Sequence, residues 1–262
     1  MRTALAVAVA LAVGFVGTAR AESSLRLPVP LRYGSIPAST FDDDGKRIGD
    51  AVLSVDHVDA DHVRIRSETR VQDGAHTTAT ALLRVVDDGT ALQIIRQESI
   101  SVTADGSSLG TLLVDHEAGI AVCDGTDEQG NERRELPIRT PDRVVNVPFN
   151  LLFEILVKDT SQKLSFDLLL CRPSPRFMTF SARVDRILVN RGRHEQLIEV
   201  VYRPDLGLLS FVTDRFVPRL SFWFDPATQD SWVAHRMPLY ATGPEVLILN
   251  GDSAYADLDA NP

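Results

Sequence analysis

From His62 to Gln72 the chain alternates with a period of two. Val63, Ile65, Ser67, Thr69 and Val71 share one parity, and Arg64, Arg66, Glu68 and Arg70 share the other. Successive side chains of a strand point to opposite faces, so this stretch is a strand with one dry face and one charged face. The next run repeats the pattern, with Ala79, Ala81, Leu83 and Val85 against Thr78, Thr80 and Arg84, and Asp87-Asp88-Gly89 then forms a hairpin-type turn. Leu92 to Ala104 continues the ribbon, and Asp105-Gly106 turns it into Leu109 to His116. Further β-like runs span 163–171, 177–190, 196–202, 208–216, 219–225 and 232–240. Most turns between them are short and polar, which joins consecutive strands antiparallel. The expected fold is mainly β, a curved antiparallel sheet.

One segment departs from this rhythm. Asn146 to Asp159 places Val147, Leu151, Leu152, Ile155 and Leu156 at helical spacing, with Asn146 as a candidate N-cap, Pro148 in the first turn and Lys158 near the negative end of the dipole. Phe149 and Phe153 widen its apolar stripe, which must be hidden against a dry sheet face. A single short helix on the concave face is therefore expected, with Phe153 and Leu156 against the sheet. Leu220, Phe222 and Phe224 share the inward parity of a late strand, which leaves Trp223 on the opposite, exposed face.

The N-terminus bounds where such a domain works. Met1-Arg2, the apolar stretch from Ala4 to Gly17 and the small-x-small Ala19-Arg20-Ala21 have the three-part form of a secretory signal peptide, with cleavage ahead of Glu22. The apolar run is shorter than the roughly 20 residues a bilayer demands, no second such run follows, and no integral membrane segment is expected after cleavage. The organisation expected is a signal peptide over 1–21, one β domain over 22–250 with a proline-punctuated lead-in to Ser39, and a flexible acidic tail over 251–262. The protein is expected in the periplasm, with release to the medium as the other destination. Loss of Arg2 and Arg20 leaves 25 basic against 36 acidic side chains, a net charge of −11 where the whole chain carries −9. That charge argues against nucleic acid, whose phosphates are bound by clustered Lys and Arg. Two cysteines, Cys123 and Cys171, each end an apolar run. In an oxidising compartment they read as one disulfide, although two separate buried thiols fit the same residues.

The order of elements resembles a family. Long charged-face strands, one apolar helix in mid-chain after Leu136-Pro137, further strands and the closing Trp232-Val233-Ala234-His235-Arg236-Met237-Pro238-Leu239-Tyr240 run are similar to periplasmic half-barrel proteins of the LolA/LolB lipoprotein-carrier type. The resemblance implies an open half-barrel covered by helix, holding acyl chains or another apolar molecule in its groove. It rests on element order and strand texture over most of the chain, with no signature motif, and one lid helix stands where lipoprotein carriers have more. On this reading Leu152, Phe153, Leu156, Phe180, Leu220, Phe222 and Phe224 line the cavity. The function expected is a non-catalytic exported carrier of a lipid or acyl chain that needs no cofactor. An envelope structural or assembly factor, or an enzyme on the same scaffold, are the alternatives.

Candidate chemistry elsewhere is sparse. Gly106-Ser107-Ser108-Leu109-Gly110 matches a nucleophile elbow, but such an elbow needs a helix after the serine and Thr111 to Asp115 reads as a strand, so a hairpin turn is expected and no catalytic residue is assigned. Asp56-His57-Val58-Asp59-Ala60-Asp61-His62 gathers two histidines and three carboxylates, against which stands a solvated acidic turn without fixed supporting groups; no metal is expected there. Asp42-Asp43-Asp44-Gly45-Lys46 lacks the alternating ligands and distal Glu of a calcium loop. Asp115-His116-Glu117 and His194-Glu195 lie along strands, where neighbours point apart.

Overall fold

The alternation of the sequence builds one antiparallel sheet, of fifteen strands among the described residues. The structure, a computed structural model, describes residues 25–30, 32–125, 133–205, 220–228, 231–240, 243–251 and 253–258. The expected signal peptide and its cleavage site, the run 208–216, Asp252 and Asp259 lie outside them. The first half comprises β1 (Leu27–Pro28), β2 (Gly34–Phe41), β3 (Arg47–His57), β4 (His62–Val71), β5 (His76–Val86), β6 (Ala91–Val102), β7 (Ser108–Asp115), β8 (Ile120–Asp124) and β9 (Arg133–Pro137). After helix α1 (Phe149–Lys158) come β10 (Lys163–Leu170), β11 (Arg176–Arg191), β12 (His194–Pro204), β13 (Leu220–Phe224), β14 (Trp232–Pro238) and β15 (Glu245–Asn250).

The strand order runs β10 to β15, then β2 to β9, with β1 paired to the start of β6. Pairing of β15 with β2 therefore brings the last strand beside the first long one, Leu249 opposite Ser39. Six strands, β1, β2, β3, β8, β9 and β15, lie outside the runs expected from alternation. In β2 the proline-punctuated lead-in ends at Gly34, and Pro37 sits just beyond the point where the β15 ladder stops at Ala38, so its missing N–H costs no cross-strand bond there. Strand β3 carries Gly49 and Asp50, which blur its pattern, and β15 is a nearly unbroken apolar run buried on both faces.

Between β9 and β10, the two ends of this order, no ladder forms, and the sheet stays open. Instead β10 is tucked against the other end of the sheet. Val144 and Leu169 pack with Val114, Ala121 and Cys123, and Cys123 at β8 is bonded to Cys171 just past β10, with Cα atoms 5.5 Å apart. A loop spanning 48 residues is closed by this bond, worth about 4 kcal/mol in the chain-entropy account. The connector between the two ends is held by one side chain. Gln97, fully buried on β6, accepts from the backbone N–H of Asn146 and, at 2.8 Å, of Val147, and donates to Val144 O at 3.0 Å. Its amide also donates to Nε2 of His116 at 2.7 Å, which assigns the ring proton to Nδ1, donating to Pro141 O at 2.9 Å.

A sheet this wide encloses more space than its own inward side chains can fill, and α1 occupies part of it. The helix meets β1, β11, β12 and β13, and Leu151, Leu152, Phe153 and Leu156 are buried. Phe153 packs among Phe222, Tyr202, Phe149 and Phe166 at 5.1 to 6.0 Å between ring centroids. The helix begins at Phe149, three residues later than the spacing suggested. Asn146 does not cap it, because its amide is spent bridging to Leu169, donating to the carbonyl at 2.9 Å and accepting from the N–H at 3.1 Å.

Trp223 lies on the face opposite Phe222 and Phe224, as parity requires, yet it is only 2% exposed. It belongs to a second apolar cluster on the outer face with Leu197, Val233, Leu247, Leu249 and Leu258. Within the tail expected to be flexible, Leu258 is fully buried. Leu258 packs into that outer cluster, and Arg193 donates to Ser253 Oγ at 3.3 Å.

Candidate functional site

The inward face is graded in size along the strands. One cross-strand row reads Val55, Ile65, Ala81, Gln97, Val114 and Ala121, which with the helix fills one end of the enclosed space. Two residues further along, the row is Leu53, Ser67, Ala79, Ser99 and Leu112, and the next is Ala51, Thr69, Thr77, Ser101 and Gly110. Small side chains on four adjacent strands leave the other end hollow. A cavity of about 350 Å³ results.

Its two walls differ. The wall formed by β4 to β7 presents hydroxyls, some of them paired with each other: Thr77 Oγ1 lies 3.1 Å from Ser101 Oγ and 3.4 Å from Leu239 O. The facing wall is apolar, with Phe149 from the helix, Leu168 to Leu170 from β10, Phe180, Tyr202, Leu220, Met237, Val246 and Ile248. His235 completes it, stacked on Phe222 at 4.9 Å with Trp232 beside it at 5.5 Å. Burial pushes its imidazole down to about 4, and its Nδ1 has no partner among the described residues. Burial likewise raises the Tyr202 phenol above its ordinary value, with the charge of Glu245 adding to it. At the mouth lie the exposed Asp124, Arg133 and Arg134 and the half-buried Arg172, next to the disulfide.

Of the residues expected to line a cavity, Phe180 and Leu220 do so. Leu152, Phe153, Leu156, Phe222 and Phe224 belong to the packed core next to it. Parity identified their face correctly, but depth along the barrel decides which inward residues meet open space. The hydroxyl wall passed unnoticed although its signal was present: in β4 the dry parity turns from Val63 and Ile65 to Ser67 and Thr69.

The other candidate groups disperse. Gly106 to Ser108 forms the hairpin between β6 and β7, with Asp105 accepting from Ser107 N at 3.0 Å and Gly110 at φ +144° inside the following strand. His62 Nδ1 bonds Asp59 at 2.9 Å, whereas His57 stacks on Tyr33 at 4.0 Å. Asp42 caps its own turn, accepting from Asp44 N and Lys46 N. His194 is buried against Asp225 at 2.7 Å while Glu195 is exposed. Glu117 pairs with Arg84, away from His116. No three His, Cys, Asp or Glu side chains among the described residues converge as a metal site, and no described helix is long and apolar enough to cross a membrane.

No family model matches this chain, and no curated protein does. Two solved structures resemble it distantly. One is a β-barrel-like protein of a domain of unknown function, DUF1849, from Brucella abortus, 13% identical, covering 86% of this chain and 100% of its own, with a TM-score of 0.46. The other is a candidate lipoprotein from Parabacteroides distasonis, 7% identical, covering 86% of this chain and 96% of its own, with a TM-score of 0.27. Neither likeness is close enough to carry an assignment, and the reading of this protein rests on its own architecture: a mainly β, open, curved antiparallel sheet around one helix and one cavity end.

Proposed function

We propose that this protein is an exported, non-catalytic binding protein that holds an apolar ligand, a lipid or acyl chain, inside its open barrel. The observation that carries this is the size gradient of the inward face, which leaves about 350 Å³ unfilled opposite a wall of Phe, Tyr, Leu and Met. Small-molecule sites are concave, mostly apolar and of about 300–1,000 Å³, with a few polar groups for orientation. Export is supported by the three-part N-terminal pattern and fits the Cys123–Cys171 bond, since disulfides persist in oxidising compartments. The half-barrel carriers of the LolA/LolB type remain the functional analogy, through the covered groove rather than through any shared residue.

Titration with the uncharged fluorescent probe N-phenyl-1-naphthylamine tests the reading, alongside native mass spectrometry of protein taken from its own envelope fraction. Saturable binding of one probe per chain is expected, and it should be lost in Ser99→Phe, which fills the hollow end. Equal probe binding by Ser99→Phe, or no saturable binding to the folded protein, would falsify it.

A further inference from the structure

The cavity's charges are distributed unevenly. Among the described residues that border it, the charged ones are Asp124, Arg133, Arg134 and Arg172, three arginines to one carboxylate. All four sit at the mouth; the walls behind them carry hydroxyls, aromatics and aliphatic groups. Covalent structure fixes this arrangement. Arg134 stands opposite Cys123 in the ladder between β8 and β9, Arg133 stands opposite Asp124, and Arg172 follows Cys171. The bond between the two cysteines therefore brings arginines from two distant parts of the sequence to one rim.

We infer that the ligand is a single-chain amphiphile with a carboxylate head: one alkyl chain inside, its carboxylate at the arginine rim. This rests on the apolar-ligand reading above and specifies it. The volume lies near the lower end of the range for small-ligand sites, about 300–1,000 Å³, which suits one chain better than the several chains of a lipoprotein anchor. A guanidinium presents a planar fork of donors that matches a carboxylate in two-point contact. Arginine side chains at the rim also favour entry head-outward and oppose a cationic head.

Dodecanoate, dodecanol and dodecyltrimethylammonium share one chain and differ in head charge, and their binding is measured by isothermal calorimetry below micellar concentrations. Dodecanoate is expected to bind most tightly and the ammonium most weakly. Arg172→Gln and Arg133→Gln, both at the solvent-facing rim, should each weaken dodecanoate by about three- to tenfold while leaving dodecanol unchanged. Equal affinity for acid and alcohol, or arginine variants that shift both alike, overturns the carboxylate inference and leaves the apolar cavity standing. If none of the three ligands binds the folded protein, the cavity reading falls with it.

Discussion

Replacing Phe153 by alanine tests how the helix is seated. The side chain is fully buried, does not border the cavity, and lies 5.1 Å from Phe222, 5.3 Å from Tyr202, 5.8 Å from Phe149 and 6.0 Å from Phe166. Large-to-small changes of this kind cost about 3–5 kcal/mol, depending on how far the surroundings collapse. Four aromatic neighbours, each pair contributing about 0.5–1.5 kcal/mol beyond burial, push the value to the upper part of that range. The rigid strands β12 and β13 behind Tyr202 and Phe222 also resist collapse. With a urea slope of about 2 kcal/mol per molar, the midpoint should fall by about 2 M. Phe149→Ala is the internal contrast: its ring is half-buried and borders the cavity, so it should cost less and should alter probe binding. A midpoint within about 0.5 M of the parent for Phe153→Ala would refute the reasoning, because a ring with these neighbours cannot be removed at so small a cost unless the helix is not docked.

Two further outcomes follow from buried polar groups. His235 is held neutral, so the unfolded chain takes up a proton first as pH falls; stability should be constant above about pH 7 and decline between about 6.5 and 4, by at most about 3 kcal/mol, with half-buried His116 acting in the same direction. Urea midpoints measured across pH 7.5 to 4.5 should show that decline and His235→Phe should flatten it, whereas an identical profile in the variant contradicts the assignment. Gln97→Leu should cost at least about 3 kcal/mol, since three backbone groups of the connector lose their partner at about 1–3 kcal/mol each. Hydrogen exchange at the Asn146 and Val147 amides should accelerate well beyond the global change, and unaltered protection there would show that Gln97 does not hold the connector.

Much of this architecture is legible locally. The alternation in β4 and β5, the hairpin turns at Asp87-Asp88-Gly89 and Asp105-Gly106, the apolar stripe of α1 and the inward parity of Phe222 and Phe224 all follow from side-chain period and turn chemistry, which depend on near neighbours in the chain. Strands β2 and β15 were hidden because prolines blur one and burial on both faces erases the alternation of the other. Trp223 was expected to be exposed for a related reason, since what covers an outer face comes from elsewhere in the chain. The candidate site is less legible still. Strand parity and helical spacing say which face a residue is on, and the spacing placed the helix's own Phe153 and Leu156 on the cavity side. How far along the barrel the helix reaches, where the small residues of four strands line up into one hollow, and that a disulfide gathers Arg133, Arg134 and Arg172 at its mouth are matters of register and curvature. Those depend on contacts between strands far apart in sequence, so only the folded sheet decides them.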